Sequence, residues 1–116
     1  ERALVGALSF AASGQLKAAA ELLESHLEEF PTNFVAVKLA HSLRFMSGQP
    51  AKMLALTRRV LPSWTAADAA YGFVLGCHAF GLEEMGYFRD AEVCGREAYR
   101  QERTDAWGLH AVSHVM

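Results

Sequence analysis

Four residues in the second half of the sequence combine the types and the spacing that could bind a metal ion. His110 and His114 are four positions apart in the run His-Ala-Val-Ser-His, so a helix would place them on one face. Imidazoles at this spacing can hold a metal, and Glu84, or Glu83 beside it, could complete the ligand set from an earlier helix. The run lacks the glutamate that follows the first histidine in the zinc-protease helix. The alternative is two histidines that hydrogen-bond carboxylates or backbone in a polar groove.

The rest of the sequence gives little support for catalysis. It contains no Gly-x-Ser-x-Gly run and no Cys-x-x-Cys run. The Glu83-Glu84 pair could act in acid–base chemistry, but only the two histidines accompany it as reactive groups. Cys77 and Cys94 stand on either side of Gly86, and we expect both to stay reduced in the cytosol. The first interpretation is therefore a binding protein without catalysis, cofactor or metal. The alternative is a metal- or small-ligand-binding protein, which could be an enzyme.

The composition favours a small helical protein. The chain has 116 residues and a mass of 12.7 kDa, which suits one domain. It contains 20 Ala and 14 Leu but no Ile, a bias that favours helix over strand. Its 11 Lys and Arg against 13 Asp and Glu argue against a nucleic-acid binder and against a polybasic membrane anchor. Since no apolar stretch is long enough to cross a bilayer, we expect a cytoplasmic protein.

Turn-forming residues recur at regular intervals. Gly14 and Gly48 are 34 residues apart, and Gly48 and Gly86 are 38 apart. Glycine at these points suits a left-handed helix end, Asn33 can cap the next helix, and Pro50 suits a first helical turn. A helix-turn-helix unit of about 34 residues is the tetratricopeptide spacing. The sequence thus predicts an all-α, tetratricopeptide-like solenoid of antiparallel hairpins, with seven helices in about three and a half repeats.

The same spacing divides the single domain, residues 1–116, into units. The predicted repeats cover approximately 1–33, 34–67 and 68–104, with a partial unit at 105–116. Thr65 with Asp68 resembles a capping box for the third unit, and Thr104-Asp105 is expected to start the seventh helix. Trp64 lies in the lengthened link between the second and third units. Because burying such a ring is worth about 2 kcal/mol, we expect Trp64 to fold back onto a neighbouring hairpin.

Four runs in the sequence resemble one known family, and two of them, the loop around Trp64 and the last run, are more specific than generic repeat positions. They are Lys38-Leu39-Ala40-His41, Pro62-Ser63-Trp64-Thr65, Phe80-Gly81-Leu82-Glu83-Glu84 and the long run from Asp105-Ala106-Trp107 through His110 and His114 to Val115. Together they resemble the tetratricopeptide repeat protein 38 family, over residues 14–116. The resemblance implies a helical-repeat fold and an internal fragment of a longer protein. It implies no particular activity.

The predicted solenoid has a concave face, which is lined by the first helix of each hairpin and is where such repeats bind extended peptides. From the repeat register we expect the partner-binding groove to be lined by Lys38, Ser42, Phe45, Phe80, Glu83, Glu84, His110 and His114. The aromatic rings at Phe73, Phe80 and Trp107 could anchor a partner or could pack between neighbouring repeats. The preferred function is a scaffold for protein–protein interaction that binds a protein or peptide ligand.

The last predicted helix suggests self-association. It carries several apolar side chains on or near one face, namely Leu109, Val112, Val115 and Met116. An uncovered apolar stripe tends to find a partner. We therefore expect a homodimer through the C-terminal helix, formed most simply about a two-fold axis.

Overall fold

The computed structural model describes the backbone of residues 2–115 and the side chains of residues 4–101. Residues 2–115 contain no β-strand, so the predicted all-α class is confirmed. A short 3₁₀ helix, Leu61–Ser63, follows the fourth α-helix. The six α-helices in this range are α1 (Arg2–Ala12), α2 (Leu16–Glu29), α3 (Phe34–Met46), α4 (Pro50–Val60), α5 (Tyr71–Glu84) and α6 (Phe88–Val115).

Three glycines end α1, α3 and α5 in the left-handed conformation. The φ angles are 83° at Gly14, 68° at Gly48 and 85° at Gly86. Each glycine N–H donates to the carbonyl three residues earlier, and the next N–H donates to the carbonyl five residues earlier, at 2.8–3.0 Å. This is the Schellman arrangement, and it favours glycine because a Cβ is strained at positive φ. The predicted turns at these three glycines are confirmed.

The helices pack in chain order. Each α-helix contacts the next one, from α1 on α2 to α5 on α6, and α3 also contacts α5. Asn33 caps α3 as predicted, since its Oδ1 accepts the Ala36 N–H at 3.2 Å, and Pro50 is the first residue of α4. Side chains of α1 and α3 line a common cleft. The exposed faces of α1, α3 and α5 therefore lie side by side.

Trp64 connects the link between α4 and α5 to the link between α2 and α3. The side chain is only 7 % exposed, and its Nε1–H donates to the carbonyl oxygen of Pro31 at 3.0 Å. It belongs to the same buried cluster as Val60 at the end of α4 and Val74 on α5. The prediction that Trp64 folds back onto a neighbouring hairpin is confirmed. The bond to Pro31 joins the α4–α5 link to the α2–α3 link.

The core also contains a charged side chain. Arg44 of α3 is 1 % exposed, and its Nε and Nη2 donate to the two carboxylate oxygens of Glu24 at 2.8 and 2.6 Å. Its Nη1 donates to the Oε1 of Gln49 at 2.7 Å. The hydrogen bonds to Glu24 raise the pKa of Arg44, which keeps the guanidinium charged despite burial. This cluster ties α2 to α3 and to the turn that follows α3.

The number of helices differs from the prediction. α6 runs without a break through Thr104-Asp105, so the count of seven was wrong and residues 2–115 form six α-helices. Residues with a preference for helix caps do not end a helix by themselves. The run Glu97–Arg103 before them consists mainly of good helix formers, and no proline or left-handed glycine interrupts it.

The start of α5 also differs from the prediction. The Thr65 N–H does donate to the Oδ2 of Asp68 at 2.8 Å, as in a capping box. However, the Asp68 N–H donates to the Thr65 carbonyl at 2.9 Å, and the Tyr71 N–H donates to the Asp68 carbonyl at 3.1 Å. These short-range bonds form successive turns, and α5 begins only at Tyr71. The lengthened link therefore extends to Ala70.

Candidate functional site

The predicted groove residues on α3 and α5 are all exposed at the surface of the protein. Here "the groove" means the exposed face formed by α1, α3 and α5. The six predicted residues with described side chains are Lys38, Ser42 and Phe45 on α3, and Phe80, Glu83 and Glu84 at the end of α5. The other two, His110 and His114, lie outside the described side chains. The described part of the groove therefore consists of side chains from α1, α3 and α5.

Two aromatic pairs bridge α3 and α5 in the groove. The ring centroids of Phe45 and Phe80 are 5.3 Å apart with an interplanar angle of 64°, and those of Phe34 and Phe73 are 5.2 Å apart at 82°. Such edge-to-face pairs contribute about 0.5–1.5 kcal/mol beyond the area they bury. Phe45 nevertheless remains 51 % exposed and Phe80 36 %. Phe73 and Phe80 therefore pack between neighbouring helices and still present surface to solvent, whereas Trp107 lies outside the described side chains.

An apolar cleft opens between α1 and α3 beside these rings. It has a volume of about 80 Å³, and its lining includes Leu8 and Met46, which are 57 % and 60 % exposed. Ala7, Leu23 and Leu43, also part of the lining, are buried. This cleft was not predicted from the sequence because its lining comes from three helices. The repeat register could have indicated it, because Leu8 and Ser42 occupy equivalent positions, six residues before Gly14 and Gly48, and should therefore lie side by side.

His41 lies beneath the groove as a neutral polar group. Its Nε2 is 3.3 Å from the carbonyl oxygen of Cys77, and its ring lies 6.2 Å from that of Phe80. Burial lowers the pKa of His41, and the hydrogen bond to Cys77 offsets this only in part. Since a lowered pKa leaves the imidazole uncharged at pH 7, His41 supports Phe80 without adding charge to the groove.

A second cavity lies between α4, α5 and α6, and the sequence analysis did not identify it. Its volume is about 410 Å³, and Arg58, His78, Asp90, Cys94 and Glu97 are among its lining residues. These groups come from three helices, so no short motif contains them. The spacing of Asp90, Cys94 and Glu97 could have indicated a shared helix face.

The thiol and the imidazole of the second cavity are both uncharged. Burial raises the pKa of Cys94, and its Sγ–H donates to the Leu75 carbonyl at 3.2 Å. Burial, with a smaller effect of Arg58, lowers the pKa of His78. Its Nδ1 is 2.7 Å from the Thr57 hydroxyl oxygen, and that hydroxyl donates to the Leu54 carbonyl. A protonated thiol and a neutral imidazole give this cavity no activated nucleophile.

The metal site expected from Glu84, His110 and His114 is not tested by the described side chains, because both histidines lie outside them. Among residues 4–101, no three His, Cys, Asp or Glu side chains come together as metal ligands would. Cys77 and Cys94 are both thiols. The metal-binding alternative therefore stays a prediction from the sequence.

Comparison with known proteins assigns the chain to no family. No protein-family model matches the chain, and no solved structure matches it. The resemblance to the tetratricopeptide repeat protein 38 family thus remains a prediction from the sequence. Within the described part of the chain, no helix has both the length and the apolar character needed to cross a bilayer.

Proposed function

We propose that the chain is a non-catalytic helical-repeat scaffold of the tetratricopeptide type, which binds a protein or peptide ligand through the groove. The observation that carries this proposal is the Phe45–Phe80 pair, with a ring from each of two neighbouring hairpins held at 5.3 Å and still open to solvent. Exposed aromatic side chains that are already fixed in place bind a partner at little cost in side-chain entropy.

The packing of the helices supports a solenoid arrangement. Three hairpins turn at equivalent glycines, each helix contacts the next, and the first helices of the second and third hairpins touch each other. A stack of hairpins in which each unit contacts only its neighbours has this contact pattern. In that arrangement α1, α3 and α5 line the concave face.

A cytoplasmic location belongs to the same proposal and agrees with the thiol form of Cys77 and Cys94.

The groove contains a mixed set of charges, which bears on the kind of ligand. Lys38 lies on α3, whereas Glu83 and Glu84 close α5. Arg44 is buried and paired with Glu24, so it offers no charge to a ligand. Among residues 4–101 the groove therefore lacks the cluster of Lys and Arg that would hold the carboxylate end of a peptide. An internal segment of a partner suits it better than a free C-terminus.

The test of the proposed function is peptide binding by paired variants. Phe45→Asp and Phe30→Asp remove rings of nearly equal exposure, 51 % and 50 %, but Phe30 lies in the α2–α3 link outside the groove. Peptides selected on the parent chain should lose binding to Phe45→Asp and keep it for Phe30→Asp. Equal binding by both variants, with both folded by circular dichroism, would contradict a ligand site in the groove.

We also propose that the chain self-associates through α6, as the sequence suggested. The side chains that suggested it, Leu109, Val112, Val115 and Met116, lie outside the described ones. Within the described part of α6, Phe88 and Tyr99 are 68 % and 67 % exposed. They stand in the register positions that Leu16 and Leu27 occupy on α2, where Leu27 is buried at 3 %. Light scattering at high micromolar concentration should give a dimer that Val112→Glu dissociates. A monomeric parent chain would refute this proposal.

A further inference from the structure

The apolar cleft between α1 and α3 suits one aliphatic side chain of a ligand. Its floor includes buried Leu23 and Leu43, and exposed Leu8 and Met46 flank it. A volume of about 80 Å³ is enough for an aliphatic side chain and too small for a large ligand. Seven of its eight lining residues are apolar, so the cleft is a site for hydrophobic anchoring.

The opposite end of the groove is acidic. Glu83 and Glu84 are exposed in the last turn of α5, and neither forms a salt bridge with another described side chain. The C-terminus of a helix carries partial negative charge, which adds to that of the two carboxylates. This end of the groove therefore attracts a cation.

The register places the two features at one level of the groove. Met46 stands two residues before Gly48, and Glu84 stands two residues before Gly86. Equivalent positions on parallel helices of successive hairpins lie side by side. A segment that crosses the helices at this level passes from the cleft, over the exposed rings of Phe45 and Phe80, to the two carboxylates.

We propose that the groove takes an extended segment of a partner protein, with an aliphatic side chain in the cleft and a lysine or arginine at Glu83 and Glu84. Packed helix axes are typically about 8–10 Å apart, and the cleft lies between the first two helices of the groove, so an extended chain would reach from the cleft to Glu83 and Glu84 with about four residues. This inference rests on the proposed function and adds the chemistry of its ligand. The acidic end excludes an acidic peptide by like-charge repulsion.

The test is selection of random displayed peptides on the parent chain. The selected peptides should share an aliphatic residue and a basic residue about four positions apart, because the chain between them follows the strand rise. Glu83→Lys with Glu84→Lys should weaken their binding by about tenfold or more, since an attractive charge contact becomes a repulsive one. The control for net charge is Glu28→Lys with Glu29→Lys at the end of α2, which also breaks the exposed Glu28–Arg59 ion pair, a contact that contributes little to stability.

The possible results separate this inference from the proposed function. Peptides without a basic residue, or peptides that bind the Glu83→Lys/Glu84→Lys variant as tightly as the parent, would overturn the ligand chemistry and leave the groove in place. Binding that also survives Leu8→Asp together with Phe45→Asp would overturn the groove as the site. A selection that enriches no peptide would overturn both. Circular dichroism confirms folding, and all four substituted side chains are exposed in the parent.

Discussion

Arg44 and Glu24 form a two-pronged ion pair that joins α3 to α2 inside the protein core. The residues are 20 positions apart in the sequence, and their two hydrogen bonds measure 2.8 and 2.6 Å. The side chains are 2 % and 15 % exposed. A planar guanidinium matches a carboxylate in this geometry, so the pair also fixes the orientation of the two helices.

Removing one partner of this pair should destabilise the protein strongly. Arg44→Ala leaves the mostly buried Glu24 carboxylate without its cation, and removing one partner of a buried pair typically costs about 3–5 kcal/mol. Urea unfolding should show a correspondingly lower midpoint. The double variant Arg44→Met/Glu24→Leu should be much closer to the parent, because apolar side chains of similar size often replace a buried pair at little cost. A double variant as unstable as Arg44→Ala would contradict this explanation.

The hydrogen bond and the burial of Trp64 can be separated by two substitutions. Trp64→Phe removes the Nε1–H that donates to Pro31 and should cost about 1 kcal/mol. Trp64→Ala also removes the buried ring and should cost about 3–5 kcal/mol. Thermal unfolding should thus rank parent above Trp64→Phe and Trp64→Phe above Trp64→Ala. An unchanged midpoint for Trp64→Ala would mean that the ring contributes nothing to the fold.

The two half-buried histidines make stability depend on pH. The pKa values of His41 and His78 are lowered from the ordinary 6.5, so the unfolded chain binds protons more readily than the folded chain. Their contribution is complete above pH 6.5 and is lost as the pH falls through the folded-state pKa values.

The measurement compares urea midpoints at neutral and mildly acidic pH. The parent should lose stability on acidification, and His41→Gln/His78→Gln should lose less, because glutamine does not titrate. Carboxylates contribute equally to both proteins and cancel in the comparison. An identical loss in parent and variant would show that the two histidines are not responsible.

Two glycine substitutions should have opposite effects. Gly48 has a φ of 68°, and an alanine there costs about 1–2 kcal/mol because its Cβ crowds the backbone. Gly95 lies inside α6, and a Cβ added there would meet the Ala79 Cβ at an ordinary 3.9 Å. Gly95→Ala should therefore stabilise by about 0.5–1 kcal/mol through helix propensity. Differential scanning calorimetry would distinguish the two, and a stabilising Gly48→Ala would contradict the turn geometry.

The sequence by itself determined the helical class and the hairpin turns. Ala- and Leu-rich segments favour helix, and Gly14, Gly48 and Gly86 end helices because only glycine adopts positive φ without strain. Asn33 and Pro50 took their predicted places for the same kind of reason. These outcomes depend on the backbone preferences of a few adjacent residues.

Tertiary structure decided what depends on contacts between distant residues. Arg44 contacts Glu24, and Trp64 contacts Pro31, only after the helices pack, so no local sequence pattern predicts either contact. The same holds for the cleft between α1 and α3 and the cavity beside α6, since their linings come from several helices. Cap propensity at Thr104 failed for the converse reason. A cap preference of about 1 kcal/mol does not end a helix whose flanking residues favour its continuation.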